Sequence, residues 1–109
     1  MSPIKSEIGS LVKEKKVVVI SKSHCPYCKK AKQMLAQYNI PKEYIAIREI
    51  DSDPNCEEIQ NYMKGLTGER SVPRVFIGGK CIGGADETSS LHNKGQLEGL
   101  LRDAGALAS

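Results

Sequence analysis

Val17-Val18-Val19-Ile20-Ser21-Lys22-Ser23-His24-Cys25-Pro26-Tyr27-Cys28 is the stretch that decides the fold. Its first four residues are β-branched without alternation, the pattern of a central strand buried on both faces. A short polar loop follows, then a Cys-x-x-Cys pair. Pro26 is set to open a helix, because its missing N–H is one that a first helical turn leaves unpaired anyway. Ala31, Met34, Leu35 and Tyr38 carry the apolar stripe of that helix, and Asn39 and Pro41 end it. Strand, thiol pair and helix form a nucleus around which the other segments arrange themselves.

Upstream, Ile4, Ile8, Leu11 and Val12 recur on one face of a helix over about residues 3–14. Downstream, Tyr44 to Ile50 mixes apolar and polar residues and predicts a second strand. Asp51-Ser52-Asp53-Pro54 predicts a helix start with Asp53 as N-cap and Pro54 at the first position. Ile59, Tyr62, Met63 and Leu66 give that helix its stripe, and Gly68 lies near its end. Arg74 to Ile77 reads as a short strand, Gly78-Gly79 as a turn, and Lys80 to Ile82 as the hairpin partner. Gly83-Gly84 break that partner, Asp86 is expected to cap a helix through Leu91 and His92, and Leu97, Leu100, Leu101 and Ala104 fit a last helix after Gly95. A βαβ unit makes the first two strands parallel, since its crossover helix must return right-handedly. The hairpin adds two antiparallel strands. The expected architecture is α/β, a four-stranded mixed sheet flanked by helices, in one domain spanning 1–109.

Composition excludes several classes. Hydrophobic residues make up 39% and charged residues 27%, too apolar for disorder. No apolar run approaches the roughly 20 residues of a membrane span. The first residues lack the apolar core of a signal peptide, and Glu7 and Glu14 argue against a transit peptide, so the expected compartment is the cytosol. Sixteen Lys and Arg against thirteen Asp and Glu give a net charge of +3, which tolerates small anionic ligands. With aromatics at 5% and no Trp, it is no nucleic-acid footprint.

Cysteines stand at 25, 28, 56 and 81. One tight pair and two scattered singles do not make a disulfide framework, and without a secretory signal the pair reads as redox or metal chemistry. Three influences favour a thiolate at Cys25. The helix N-terminus brings unsatisfied N–H groups and partial positive charge; Lys22, Lys29 and Lys30 add cations; and Cys28 can return its thiol as a donor. Cys28, one turn inside the helix, is expected to be less exposed and to keep a higher pKa, which suits it to resolve a mixed disulfide formed on Cys25. The competing reading is half of a zinc site, but no second Cys-x-x-Cys or spaced His pair completes it.

The pair and three separated segments downstream resemble the glutaredoxin family. Cys25-Pro26-Tyr27-Cys28 is similar to the active site of its dithiol members. Glu58-Ile59-Gln60 with Leu66-Thr67-Gly68, Arg70 through Gly79, and Cys81-Ile82-Gly83-Gly84 look like its glutathione-binding segments. The resemblance covers about residues 10–104 and implies a thioredoxin-like fold. It implies Cys25 as nucleophile and Cys28 as resolving thiol. Lys22 and Gln60 fall on positions that hold the glycine end of glutathione, and Tyr27 on an aromatic that flanks it. Val72-Pro73 matches a cis-proline step whose backbone pairs with the cysteinyl unit. Gly83, Gly84 and Asp86 match the turn and helix start that receive the γ-glutamyl group. Two departures stand out: Ser71 replaces the usual threonine, and Glu87 stands where many members have aspartate beside the γ-glutamyl ammonium.

The implied activity is glutathione-dependent thiol–disulfide exchange on glutathionylated or disulfide-bearing proteins. Glutathione serves as co-substrate, with no tightly bound cofactor, no metal, no nucleic acid, no membrane, and a monomeric chain. A thioredoxin reading lacks the tryptophan-flanked Cys-Gly-Pro-Cys pattern. An iron–sulfur carrier sharing a cluster between two protomers is disfavoured by the proline directly after Cys25. A non-enzymatic binding module fits poorly with an intact nucleophile. The remaining residues take plainer expectations: Cys56 a bystander thiol, Cys81 a small buried packing residue, His24 a solvated loop residue, His92 helix surface, Lys13-Glu14-Lys15-Lys16 a solvated helix end, and Met34 and Met63 core.

Overall fold

The computed structural model describes residues 3–108. Helix α1 (Pro3–Glu14) precedes strand β1 (Val17–Ser21); helix α2 (Pro26–Leu35) then crosses to strand β2 (Ile45–Glu49) through a 3₁₀ turn at Lys42–Tyr44. Helix α3 (Cys56–Thr67), strands β3 (Arg74–Ile77) and β4 (Lys80–Gly83), and helices α4 (Ala85–Asn93) and α5 (Leu97–Asp103) follow. The sheet order is β2-β1-β3-β4, with β1 parallel to β2, antiparallel to β3, and β3 antiparallel to β4. This is the mixed four-stranded α/β sheet that the sequence predicts.

Strand β1 is buried throughout because both of its faces are covered. Val17 and Val19 pack with Ala31 and Leu35 of α2, Ala85 of α4, and Leu97 and Leu101 of α5. Val18 and Ile20 turn the other way, against Ile4, Ile8 and Val12 of α1 and Ile59 and Met63 of α3. The two-residue period of a strand thus divides one apolar run between two cores. Each side chain fully buried in this way stabilises the fold by about 1.5–3 kcal/mol. The same topology assembles the functional end. Ile20 pairs with Arg74 and Val75 with Gly83, so the loop after β1, the segment before β3 and the end of β4 meet at one end of the sheet. At the opposite end, Gly78 and Gly79 close the hairpin with φ of 62° and 84°, a left-handed pair that glycine adopts without strain.

Local details depart from expectation. Tyr44 belongs to the 3₁₀ turn, so β2 starts at Ile45, and Ile47 is 46% exposed on this edge strand. Helix α3 begins at Cys56, later than Asp53-Pro54 predicts. Asp53 does not cap it: its carboxylate accepts the Asn55 N–H at 2.7 Å and pairs with Arg48 at 2.7 Å. Arg48 also holds Glu7 of α1 at 2.8 Å, so the acid is drawn into a tertiary ion network that competes with local capping. Tyr38 lies beyond the end of α2, and Leu66 and Leu100 are 49% and 38% exposed, at the margin of their stripes. His92 is not on the open surface: its Nδ1 lies 2.6 Å from the Tyr38 hydroxyl, and the two rings meet edge-on. Met34 and Met63 are core, as expected.

Candidate active site

Cys25 sits at the N-cap of α2 in an extended conformation, with Pro26 at the head of the helix. Its Sγ accepts the Cys28 N–H at 3.4 Å, so the thiol occupies the place a Ser or Asp side chain takes in an ordinary cap. Burial pushes the Cys25 thiol up, but the Cys28 thiol and the Cys28 and Tyr27 N–H groups donate to it. Together with the Lys22 charge they outweigh burial and hold it below the ordinary cysteine value. Burial pushes the Cys28 thiol up, and its hydrogen bond to Cys25 and the Cys25 charge push the same way against the Lys22 N–H and Ser21. That N–H donates to Cys28 Sγ at 3.4 Å, and the side chain is fully buried. Both are free thiols. One partly exposed, acidified thiol beside one buried, protonated thiol is the asymmetry that stepwise disulfide exchange needs.

Cys25 is expected to react with iodoacetamide in a pH profile whose midpoint lies below the ordinary thiol value of about 8.5. Because Cys28 donates to the thiolate, Cys28→Ala is expected to move that midpoint upward. Timed quenching and mass spectrometry of the labelled peptide measure both. A midpoint that stays put in Cys28→Ala would remove the Cys28 thiol from the causes of acidification.

A groove of about 300 Å³ runs beside the pair, lined by Tyr27, Ser71, Val72, Pro73, Arg74 and the α4 start from Gly84 to Glu87. The Val72–Pro73 peptide is cis. Tyr27, Val72, Pro73, Gly84 and Asp86 are therefore brought together as the sequence predicts, with Tyr27 62% exposed as one wall. Lys22 and Gln60 lie outside this lining. Lys22 acts on Cys25 by its charge, while Gln60 donates to the Arg70 carbonyl at 3.0 Å and accepts from the Cys56 thiol.

Asp86 lies in the first turn of α4 but does not cap it. Gly84 takes the N-cap position, and the Glu87 carboxylate accepts its N–H at 2.6 Å. The side chain of Glu87 curls back onto the head of its own helix. This changes the expectation for the γ-glutamyl end, because the Gly84 N–H already has an acceptor.

Sequence reasoning missed Asp51. Its carboxylate accepts the Ser23 N–H at 3.1 Å and the Ser23 hydroxyl, and lies 3.2 Å from His24 Nδ1, tying down the loop that carries Cys25. Hydrogen bonds from Ser23 hold the Asp51 carboxyl below its usual range. The one signal was the parallel pairing of β1 with β2, which sets Ser21 opposite Glu49 and so places the two following loops side by side. His24 is 81% exposed in its side chain, solvated as expected, yet tethered. Cys56 and Cys81 are half-buried at the edge of the α1–α3 core, Cys81 less enclosed than expected because β4 is an edge strand.

The chain resembles known proteins along most of its length. The family model described as glutaredoxin matches residues 17–82. A glutaredoxin from Vernicia fordii is 45% identical over 98% of both chains. Glutaredoxin-1 from Bos taurus is 41% identical over 92% of this chain and 94% of its own. Among solved structures, oxidized glutaredoxin 2 from Chlamydomonas reinhardtii superposes with a TM-score of 0.88 at 45% identity, covering 95% of each chain. A buckwheat glutaredoxin–glutathione complex superposes with a TM-score of 0.88 at 35% identity, covering 96% of this chain and 93% of that one.

Proposed function

The chain belongs to the glutaredoxin family, and on that premise we propose that this glutathione-dependent thiol–disulfide oxidoreductase works through Cys25 as nucleophile and Cys28 as resolving thiol. The observation that carries the reading is the thiol of Cys25 at the head of α2, hydrogen-bonded by Cys28 and acidified further by the charge of Lys22.

In the first step the Cys25 thiolate attacks the glutathione sulfur of a protein–glutathione disulfide. The protein–sulfur bond breaks, the protein leaves as a thiolate that takes up a proton, and Cys25 carries glutathione as a mixed disulfide. A second glutathione thiolate then attacks the glutathione sulfur on Cys25, which restores the Cys25 thiolate and releases oxidised glutathione. With a protein disulfide, the first attack instead leaves Cys25 bridged to the substrate, and Cys28 loses its proton and displaces the substrate thiol. The resulting Cys25–Cys28 disulfide is reduced by two glutathiones. Holding three sulfurs in line in a fixed site contributes more than any change in intrinsic nucleophilicity.

Glutathione is read as lying along the groove. Lys22 and Gln60 take its glycine carboxylate, the Val72–Pro73 backbone pairs with its cysteinyl unit, Tyr27 flanks it, and Gly84 and Asp86 at the head of α4 take its γ-glutamyl group. Since the Gly84 N–H is engaged by Glu87, the Ala85 and Asp86 N–H groups are the donors left for that end. The same reading takes the protein as a cytosolic monomer acting on glutathionylated and disulfide-bearing proteins, with glutathione as co-substrate and no resident cofactor. Turnover of a glutathione mixed disulfide coupled to glutathione reductase, with no turnover coupled to thioredoxin reductase, is the expected result. The reverse pattern would overturn the proposal.

Lys22 gives a quantitative check. A charge-assisted hydrogen bond to a carboxylate is worth about 1.5–3 kcal/mol, less where solvent screens it. Lys22→Ala is therefore expected to weaken glutathione binding by roughly three- to a hundredfold and to blunt its salt dependence. The Cys25 thiolate is titrated alongside, because the same change removes a charge that acidifies Cys25. Unchanged affinity at low salt would take Lys22 out of the binding site and leave Cys25 as nucleophile untouched.

A further inference from the structure

We propose that Arg74 is the residue that receives the γ-glutamyl α-carboxylate of glutathione and so sets specificity at that end of the groove. The inference rests on the glutathione reading above and adds to it a residue that the sequence motifs did not single out. Arg74 opens β3, directly after the cis Val72–Pro73 step, and only 8% of it is exposed. Its Nε donates to the Pro73 carbonyl at 3.0 Å, which fixes the plane of the guanidinium. The ion pairs found among the described residues leave it without a carboxylate within 4.0 Å. A charge this enclosed is costly unless an anion pairs with it.

The position of the guanidinium points to which anion. Its Nη2 lies 2.7 Å from where a Cβ on Gly84 would stand, so it rests against the residue that heads α4. Arg74 itself lines the groove, together with Gly84 and the first residues of α4. The guanidinium fork and the unpaired N–H groups at the start of α4 therefore converge on one spot. A planar fork matches a carboxylate with two parallel hydrogen bonds, and the helix dipole adds to the attraction. Glu87, an acid beside this spot, is turned to the Gly84 N–H instead. Asp86, exposed in the same first turn, is then left to meet the ammonium carried by the same α-carbon.

The test compares kcat/KM for mixed disulfides of one peptide with glutathione and with 4-aminobutyryl-cysteinylglycine, which lacks only that α-carboxylate. The wild-type protein is expected to lose roughly ten- to a hundredfold on the analogue, as a charge-assisted bidentate contact would. Arg74→Gln, having already given up the contact, is expected to lose less than about threefold. Equal losses in the two proteins would overturn the assignment of Arg74 while leaving glutathione recognition standing. No loss in the wild type would remove recognition of the γ-glutamyl end altogether, and the groove assignment above with it. If circular dichroism shows Arg74→Gln unfolded, Arg74→Lys replaces it. That variant keeps the charge without the fork and is expected to show a loss smaller than the wild type; a loss equal to the wild type would again overturn the inference.

Discussion

Cys25→Ser is expected to abolish turnover of glutathione mixed disulfides, a drop of more than about a thousandfold, as removal of a covalent nucleophile typically gives. A hydroxyl does not ionise near neutral pH, and an oxygen at this position cannot form the mixed disulfide on which both steps depend. The fold gives no competing explanation for the loss. Serine is among the best N-cap residues, and its oxygen can accept the Cys28 N–H that Cys25 Sγ accepts now. Helix α2 should therefore start as before, and glutathione should still bind, which circular dichroism and direct binding would measure beside the rate. Retained turnover in a folded Cys25→Ser protein would place the nucleophile elsewhere and end the mechanism.

The central strand and its thiol pair could be read from the sequence because the deciding signals are local. Four β-branched residues in a row say that both faces are covered, and the structure divides Val17 and Val19 from Val18 and Ile20 between two cores. What the sequence hides is pairing between distant segments. Asp51 reaches Ser23 across 28 positions, and Tyr38 reaches His92 across 54. Asp53 looks like a cap until Arg48 and Glu7 are known to be neighbours. Arg74 lay within a segment resembling a glutathione-binding one but had no role of its own there, since an arginine at a strand start is unremarkable until its burial beside Gly84 is seen.

The site therefore has two layers of origin. The head of α2 makes Cys25 reactive from residues close to it in sequence: Lys22, Tyr27 and Cys28. The groove is a product of topology: antiparallel β1–β3 and β3–β4 pairing bring Pro73 and Gly84 to the same end of the sheet as Cys25. Chemistry and recognition are thus separable by mutation. Changes along the groove should act on affinity for the tripeptide, while changes at the pair should act on the exchange itself.

Cys28→Ser tests that separation at the pair. Deglutathionylation is expected to persist within about threefold, because glutathione from solution supplies the second thiol and an intermolecular step suffices. Reduction of protein disulfides is expected to fall by more than about tenfold, because the substrate bridged to Cys25 loses a resolving thiol held in place. An intramolecular group of that kind acts at an effective concentration far above any glutathione pool. The buried position favours a clean comparison. A serine hydroxyl is close in size to the thiol, and its oxygen can accept the Lys22 N–H that Cys28 Sγ accepts at 3.4 Å. The same hydroxyl can still donate to Cys25, so the acidity of the nucleophile should change less than in Cys28→Ala. The two substrates, run side by side on one preparation, give the ratio that decides. If both activities vanish with the fold intact, the one-thiol route is wrong; if neither moves, Cys28 does not resolve the bridge, and its buried thiol serves only to tune Cys25.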